Sequence, residues 1–349
     1  MVGELIPALV DPVKADAAFW KRYHEIRRLW EQEMRPEDPP TPEDIEEGLM
    51  KRYDPFRITH RYEVVHDGVM LGWFSGSVVR PGSPEYESNK QFFEAWAYTR
   101  PEMRRQRVAT SLLPLAVELA GLHGCTIVNF YTEDTPGHEF LKWIGAEPKL
   151  TELESRLKLA DLDWSMVERW AAEGSARNPQ TKLEIYDGHL PESMWDDFAR
   201  QYTELINMIP WESMEHGDEI VTPEQMREWY ARQDMRGTRQ HSVVAREPDG
   251  LIAGLTDVDW TPYKPALAHQ QLTAVRPASR GRGIGKWIKA TMLLRLRELY
   301  PELKWVATEN AGSNAPMLKI NRELGFRPFV TGVEYQIARD QLAEKISSL

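Results

Sequence analysis

The chain has 349 residues, 42% hydrophobic and 28% charged, with a formal net charge of −11. That composition is globular, with enough material for two domains of ordinary size. The acidic balance argues against a nucleic-acid partner, which needs a basic face to release counterions.

The opening stretch, MVGELIPALVDPVKAD, lacks the basic and long apolar regions of a signal peptide. The densest apolar run, LLPLAVELAGL, is interrupted by Glu118 and falls short of a bilayer span. The expectation is therefore a cytoplasmic protein with no membrane partner. A single cysteine, Cys125, excludes an intramolecular disulfide. In the β-branched run CTIVNF it reads as a small buried residue, not a nucleophile.

In chain order, WEQEMRPEDPPTPED (30–44) leads into a helix, with Thr41 as N-cap and Pro42 at the first helical position. TRPEMRRQRVATSLL (99–113) is a cationic loop opening an amphipathic helix, whose apolar face is Ala109, Leu112, Leu113, Ala116, Leu119 and Ala120. HEFLKWIGAEP (138–148) reads as a shortened helix, and DWSMVERWAAE as a further one. The small, polar GSARNPQT (174–181) follows as the joint between halves.

The second half repeats the first. WESMEHGDEIVTPEQ (211–225) matches 30–44 at an offset of 181, with Thr222 and Gln225 forming a capping box. VRPASRGRGIGKWIK (275–289) matches 99–113, so that Arg104 and Arg280 lie 176 positions apart. ATENAGS (307–313) matches YTEDTPG (131–137). Strands are expected over HSVVAR (241–246), LIAGLTDVDW (251–260), AHQQLTAVR (268–276), KWVATE (304–309) and GVEYQIA (332–338). Strands alternating with helices imply an α/β fold with a mixed sheet, duplicated in tandem as residues 1–173 and 182–349.

RPASRGRGIGKW (276–287) carries three glycines and a cluster of cations at a helix entrance, where unpaired backbone N–H groups and the helix dipole favour an anion. Gly281 to Gly285-Lys286 is one residue short of a P-loop, and Trp287 replaces its hydroxyl residue. The spacing of Gly281, Gly283 and Gly285 also fails the dinucleotide fingerprint. Three alternate glycines exceed what a simple turn requires.

Arg280-Gly281-Arg282-Gly283-Ile284-Gly285 resembles the Q/R-x-x-G-x-G/A signature of the GNAT N-acetyltransferase superfamily, which holds the pyrophosphate of acetyl-CoA. TENAGSNAPMLKINRELGF (308–326) resembles the segment of that family beside the CoA arm. The resemblance is strong over roughly residues 240 to 330. It implies acetyl-CoA as co-substrate, with Lys286 completing the loop, and no metal. It implies direct acetyl transfer to an amine, with Thr273, Ala274 and Val275 against the thioester arm. Asn310, Asn314 and Asn321 are implied as further hydrogen-bonders. Asn321 stands where the family often has a tyrosine acid, which leaves Tyr263, Tyr335 or an unassisted thiolate for that step. In the first half, Arg105 and Arg107 replace Gly281 and Gly283; their side chains should block a pyrophosphate and make that half degenerate, unless they grip phosphate themselves.

A neutral amine needs a base within direct or one-water reach. Strict alternation places His269, Gln271, Thr273 and Val275 on one strand face, and His269 is the first candidate, against a purely structural histidine. Asp257, Asp259 and Glu309 are alternatives acting through water, as substrate-orienting groups, or merely solvated. The acceptor loop implied by the resemblance holds Trp211, Glu212 and Glu215, which suit an ammonium-bearing small molecule by ion pairing and cation–π contact, or form a solvated loop around a core tryptophan. Antibiotic-type polyamines and a protein lysine are further acceptors to consider. The rival reading from another class is a non-catalytic acyl-CoA sensor or scaffold.

Overall fold

The structure, a computed structural model, describes residues 5–348. The chain forms two compact units. Of the described residues, the first comprises 5–151, 213–218 and 332–348, and the second 152–212 and 219–331. In chain order the elements begin with β1 (Pro7–Leu9), α1 (Ala17–Met34), α2 (Glu43–Lys51), β2 (Arg57–His66), β3 (Val69–Val79) and α3 (Tyr86–Asn89). There follow β4 (Phe92–Thr99), α4 (Val108–Leu122), β5 (Ile127–Thr132), α5 (Thr135–Ile144), β6 (Glu147–Lys158) and α6 (Trp164–Arg177). Next come β7 (Lys182–Asp187), α7 (Trp195–Ile206), α8 (Pro223–Arg236), β8 (Arg239–Arg246), β9 (Ile252–Trp260) and β10 (Leu267–Val275). The chain closes with α9 (Ile284–Leu299), β11 (Trp305–Ala311), α10 (Ala315–Leu324), β12 (Arg327–Ala338) and α11 (Arg339–Ser347).

Each unit is built on a mixed sheet. In the first the order is β1-β2-β3-β4-β5-β12, and in the second β6-β11-β10-β9-β8-β7. Neighbours run antiparallel except β4/β5 and β10/β11, which are parallel. The unit boundaries fall inside β6 and β12. Residues 152–158 of β6 pair with β11, and residues 333–338 of β12 pair with β5, so each sheet takes its closing strand from the other half of the sequence. The residue pattern of a strand cannot mark this in advance, because its alternation is the same whichever neighbour it pairs with.

Apolar faces lie on both sides of the second sheet. Ala268, Val258 and Ala245 pack with Ile284, Ile288, Met292 and Leu296 of α9. On the other face Leu255, Val244 and Ala274 pack with Phe198, Tyr202 and Leu205 of α7 and Met226 and Tyr230 of α8. In the first unit the α4 face is Val108, Leu112, Leu113, Ala116, Leu119 and Ala120, with Val108 replacing the expected Ala109 as the innermost residue of the first turn.

Local signals hold in part. Thr222 and Gln225 form the expected capping box, with Pro223 opening α8. Thr41 does not cap: α2 starts at Glu43, Pro42 takes the cap position, and no side chain closes a cap bond. The helix expected to be shortened is full length, since α5 and α10 each span ten residues. Asp134 caps α5 and Pro136 sits in its first turn, so the helix begins ahead of His138. The stretch 174–181 is the last turn of α6 and a buried cap. A Cβ at Gly174 would come within 2.2 Å of Trp287, so this glycine lets α6 approach α9.

Candidate active site

The loop that precedes α9 takes its shape from two left-handed residues, Gly281 at φ 77° and Gly283 at φ 81°. A Cβ at Gly281 would meet nothing within 4 Å, so the glycine answers to backbone conformation and to open space above it. Gly285 serves packing instead: its Cβ would lie 3.2 Å from Ile320 and 3.6 Å from Val275. Successive left-handed turns at a helix N-terminus aim backbone N–H groups into one concavity, which suits a diphosphate.

The cations around this loop divide by task. Arg282 is structural. Its guanidinium donates to Asn178 Oδ1 at 2.9 Å, Glu247 Oε1 at 2.6 Å and Thr181 Oγ1 at 2.9 Å, and its carbonyl accepts from Asn178 Nδ2. The segment expected as a joint thus anchors the loop. Lys286 pairs with Glu323 and lies 4.3 Å from the Trp170 ring centroid. Arg280 is exposed and donates Nε to Val275 O at 3.2 Å.

The first unit keeps the same loop backbone, with Arg105 at φ 62° and Arg107 at φ 66° in the matching places. A side chain in that region costs about 1 kcal/mol or more, so replacing the glycines has not reshaped the loop. The charges differ, however. Arg104, at the place of Arg280, makes two 2.7 Å hydrogen bonds to Glu33, which also accepts from Tyr98 Oη at 2.9 Å. Arg105 pairs with Glu139 at 2.6 Å. Carboxylates therefore pair with Arg104 and Arg105 at this loop.

Beside the second loop the sheet opens. β10 and β11 pair only over Leu267–Gln270 and Trp305–Thr308, although both strands continue. The segments 271–275 and 309–311 border the resulting splay. Against β9, the register of β10 shifts between Gln270 and Thr273: Gln270 faces Val258 while Thr273 faces Thr256, so one extra residue is inserted. This bulge overturns strict alternation. His269 shares a face with Leu272 and Ala274, toward α7 and α8, whereas Thr273 and Val275 face α9 with Ala268 and Gln270. The β4/β5 pair of the first unit opens in the same way after Ala95 and Phe130, but its β3/β4 register runs without a shift.

Four candidates do share one face of the second sheet. His269 stands directly across from Asp259 on β9 and from Ala307 on β11, with Asp257 and Glu309 two residues further along those strands. His269 and Glu309 are exposed. Asp257 is fully buried, and neither of its carboxyl oxygens has a hydrogen-bond partner; Asp259 Oδ1 is likewise buried and unpartnered. Burial pushes the Asp257 carboxyl up to about 7, with repulsion from Asp259 adding to the rise. The hydroxyls of Ser242 and Tyr202 approach and moderate it without completing a hydrogen bond. Burial raises Asp259 to about 6, opposed by the Arg236 charge.

On the opposite face, Thr273 Oγ1 lies 2.7 Å from Thr256 Oγ1, and Gln270 Nε2 donates to Thr256 Oγ1 at 2.6 Å and to the Asp257 carbonyl at 2.8 Å. Asn314 caps α10, accepting from Met317 N at 3.4 Å. Asn321 is buried, accepts from Lys289 Nζ at 2.9 Å and donates to Asn310 Oδ1 at 2.7 Å. Lys289 was not singled out by sequence. Its signal is position: it lies four residues after Gly285 and four before Leu293, on the packed stripe of α9.

The expected acceptor loop is divided. Trp211 and Glu212 belong to the second unit, where Glu212 Oε1 accepts from Ser313 N at 3.1 Å. Glu215 belongs to the first unit, where its backbone exchanges hydrogen bonds with Gln336 at 2.9 and 2.8 Å. Tyr335 also lies in the first unit's core, 3.0 Å from His138 Nδ1. Among the described residues no group of three or more His, Cys, Asp or Glu could hold a metal, and no helix is long and apolar enough to cross a membrane.

The sequence model of the acetyltransferase (GNAT) family matches residues 23–145. No curated protein matches the chain. Among solved structures, a tandem GNAT protein from the clavulanic acid biosynthesis pathway is similar over 96% of this chain and 99% of its own, at TM-score 0.74 and 21% identity. A GCN5-related N-acetyltransferase from Sphaerobacter thermophilus aligns over 97% of both chains at TM-score 0.63 and 14% identity. A glucosamine N-acetyltransferase region of a fungal multi-domain β-N-acetylglucosaminidase aligns over 96% of this chain and 38% of its own, at TM-score 0.65 and 13% identity. At these identities the likeness is one of fold.

Proposed function

We propose, for a chain that has the tandem GNAT fold and carries a GNAT-family domain over residues 23–145, that the second unit transfers acetyl from acetyl-CoA to the amino group of a small molecule. The first unit is then the degenerate partner. One observation carries this reading: among the described residues, it is in the second unit that a glycine-built anion cradle adjoins a splay whose strand carries a bulge, with the buried, unpartnered carboxyl of Asp257 on the neighbouring strand β9.

The residues fit the co-substrate. The open space at Gly281 and the left-handed turns at 281 and 283 suit a diphosphate, with Arg280 beside it. Acetyl-CoA supplies the activated acyl group as a thioester. The bulge between Gln270 and Thr273 frees main-chain N–H groups of β10 to stabilise the carbonyl oxygen as it gains negative charge. His269 takes a proton from the substrate ammonium so that the neutral amine attacks, and Asp259, directly across the strand pair, orients that nitrogen. Glu309, exposed on the same face, extends the negative character that favours a cationic acceptor.

The test is turnover of the full chain with acetyl-CoA and a panel of small amines, read as free thiol. Amine-dependent thiol release supports the proposal. Tight CoA binding without such release would establish a binding protein instead, and release only with lysine peptides would move the acceptor class to protein.

A further inference from the structure

The splay between β10 and β11 is bordered on the β11 side by Asn310, beyond the last residue that pairs with β10. Asn310 ends a chain of three polar side chains set among apolar residues. Lys289 Nζ donates to Asn321 Oδ1 at 2.9 Å, and Asn321 Nδ2 donates to Asn310 Oδ1 at 2.7 Å. Lys289 is 1% exposed, flanked by Met317 Sδ at 3.9 Å and by the Phe326 ring at 5.5 Å to its centroid. A buried ammonium held by a neutral amide and no carboxylate is costly to the fold. Lys286 of α9, by contrast, has a carboxylate partner in Glu323 of α10.

The chemistry of the donors fixes the direction of the whole chain. Burial brings Lys289 down to about 7; in its protonated form it only donates, so Asn321 then turns its oxygen toward it and its NH2 away. That NH2 meets Asn310, which must in turn offer its oxygen and direct its own NH2 onward. Each amide is polarised by the one behind it, and the ammonium begins the series.

We propose that Lys289 is a positioning residue that fixes Asn321 and Asn310 so that Asn310 presents an N–H to the sulfur of CoA in the splay. This inference rests on the function proposed above and supplies what the absent tyrosine leaves open. In the transfer, the amine nitrogen bonds to the acetyl carbon, the carbon–sulfur bond breaks, and its electron pair goes to sulfur. The polarised N–H of Asn310 stabilises that thiolate, which later takes a proton from solvent. No proton leaves Lys289.

The experiment measures the titration of the CoA thiol when bound to the full chain, by thiolate ultraviolet absorbance, with CoA affinity measured in parallel by calorimetry. The unmodified protein should hold the bound thiol below its free pKa. Lys289→Met, which suits the surrounding apolar contacts, should lower the thiolate fraction near neutral pH about tenfold, with CoA affinity changed much less. Asn310→Leu should do the same and decides the matter if the lysine variant misfolds. Thiol titration identical in the unmodified protein and the variants, with CoA bound in each, overturns the proposal while leaving the acetyl-CoA site intact. Failure of the unmodified chain to bind CoA would remove the parent reading and this inference with it.

Discussion

Asp257 offers a direct measurement of what the buried acidic face costs the fold. Its carboxyl is taken from an ordinary 3.8 to about 7 by burial. Below pH 3.8 the acid is protonated in folded and unfolded chains alike, and its folding contribution carries no penalty. As pH rises the unfolded chain releases the proton first, so stability falls until the folded pKa is passed. At 1.36 kcal/mol per tenfold change in the ionisation constant, the loss reaches about 4 kcal/mol at pH 8 and under about 2 kcal/mol at pH 5. Asn at this position keeps the shape and cannot ionise. Asp257→Asn should therefore unfold about 10 °C later than the parent at pH 8, with little difference near pH 4. Calorimetric or fluorescence melting of both proteins at pH 4, 5, 7 and 8 checks this. Equal dependence of melting on pH in parent and variant would show that Asp257 is not held protonated by burial.

Gly283→Glu should abolish acetyl-CoA binding in calorimetry, because it adds both a side chain and a negative charge at a left-handed position of the anion cradle. Arg107→Glu, at the matching place of the first unit, should leave affinity nearly unchanged; a large loss there would make the first loop a cofactor site. His269→Ala should lower turnover about a hundredfold at neutral pH, and a drop of only a few fold would transfer the base role to Asp257, Glu309 or water. Cys125 is buried, lies 3.4 Å from the carbonyls of Lys90 and Phe92, and has its thiol pushed up to about 11 by burial. It should resist an aromatic disulfide reagent in the folded protein and react at once in denaturant; rapid labelling of the native chain would contradict that burial.

Much of the site was legible because its signals are local. Glycines at 281 and 283, just ahead of a helix, point to the left-handed backbone found there, and the capping box at Thr222 needs only its own turn. Placing Asp257 and Asp259 on one face required nothing beyond alternation along β9. What escaped was set by longer range. One inserted residue after Gln270 reverses the facing of everything beyond it, and the letters GLN-GLN-LEU-THR carry no mark of it. Lys289 resembles any solvated lysine until α10 is laid against it. Glu215 sits in a loop whose composition suits an acceptor pocket, but whose backbone is committed to Gln336.

The provenance of the last strand in each sheet bears on how such a duplicated gene can be divided. Cutting near Asn178 would give two fragments, each deprived of the ribbon that closes its sheet and each carrying a ribbon meant for the other. Either fragment alone would present raw strand edges inviting aggregation, whereas both made together could complete one another. The two copies are thus bound to a shared fate, and neither can be discarded without ruining the other.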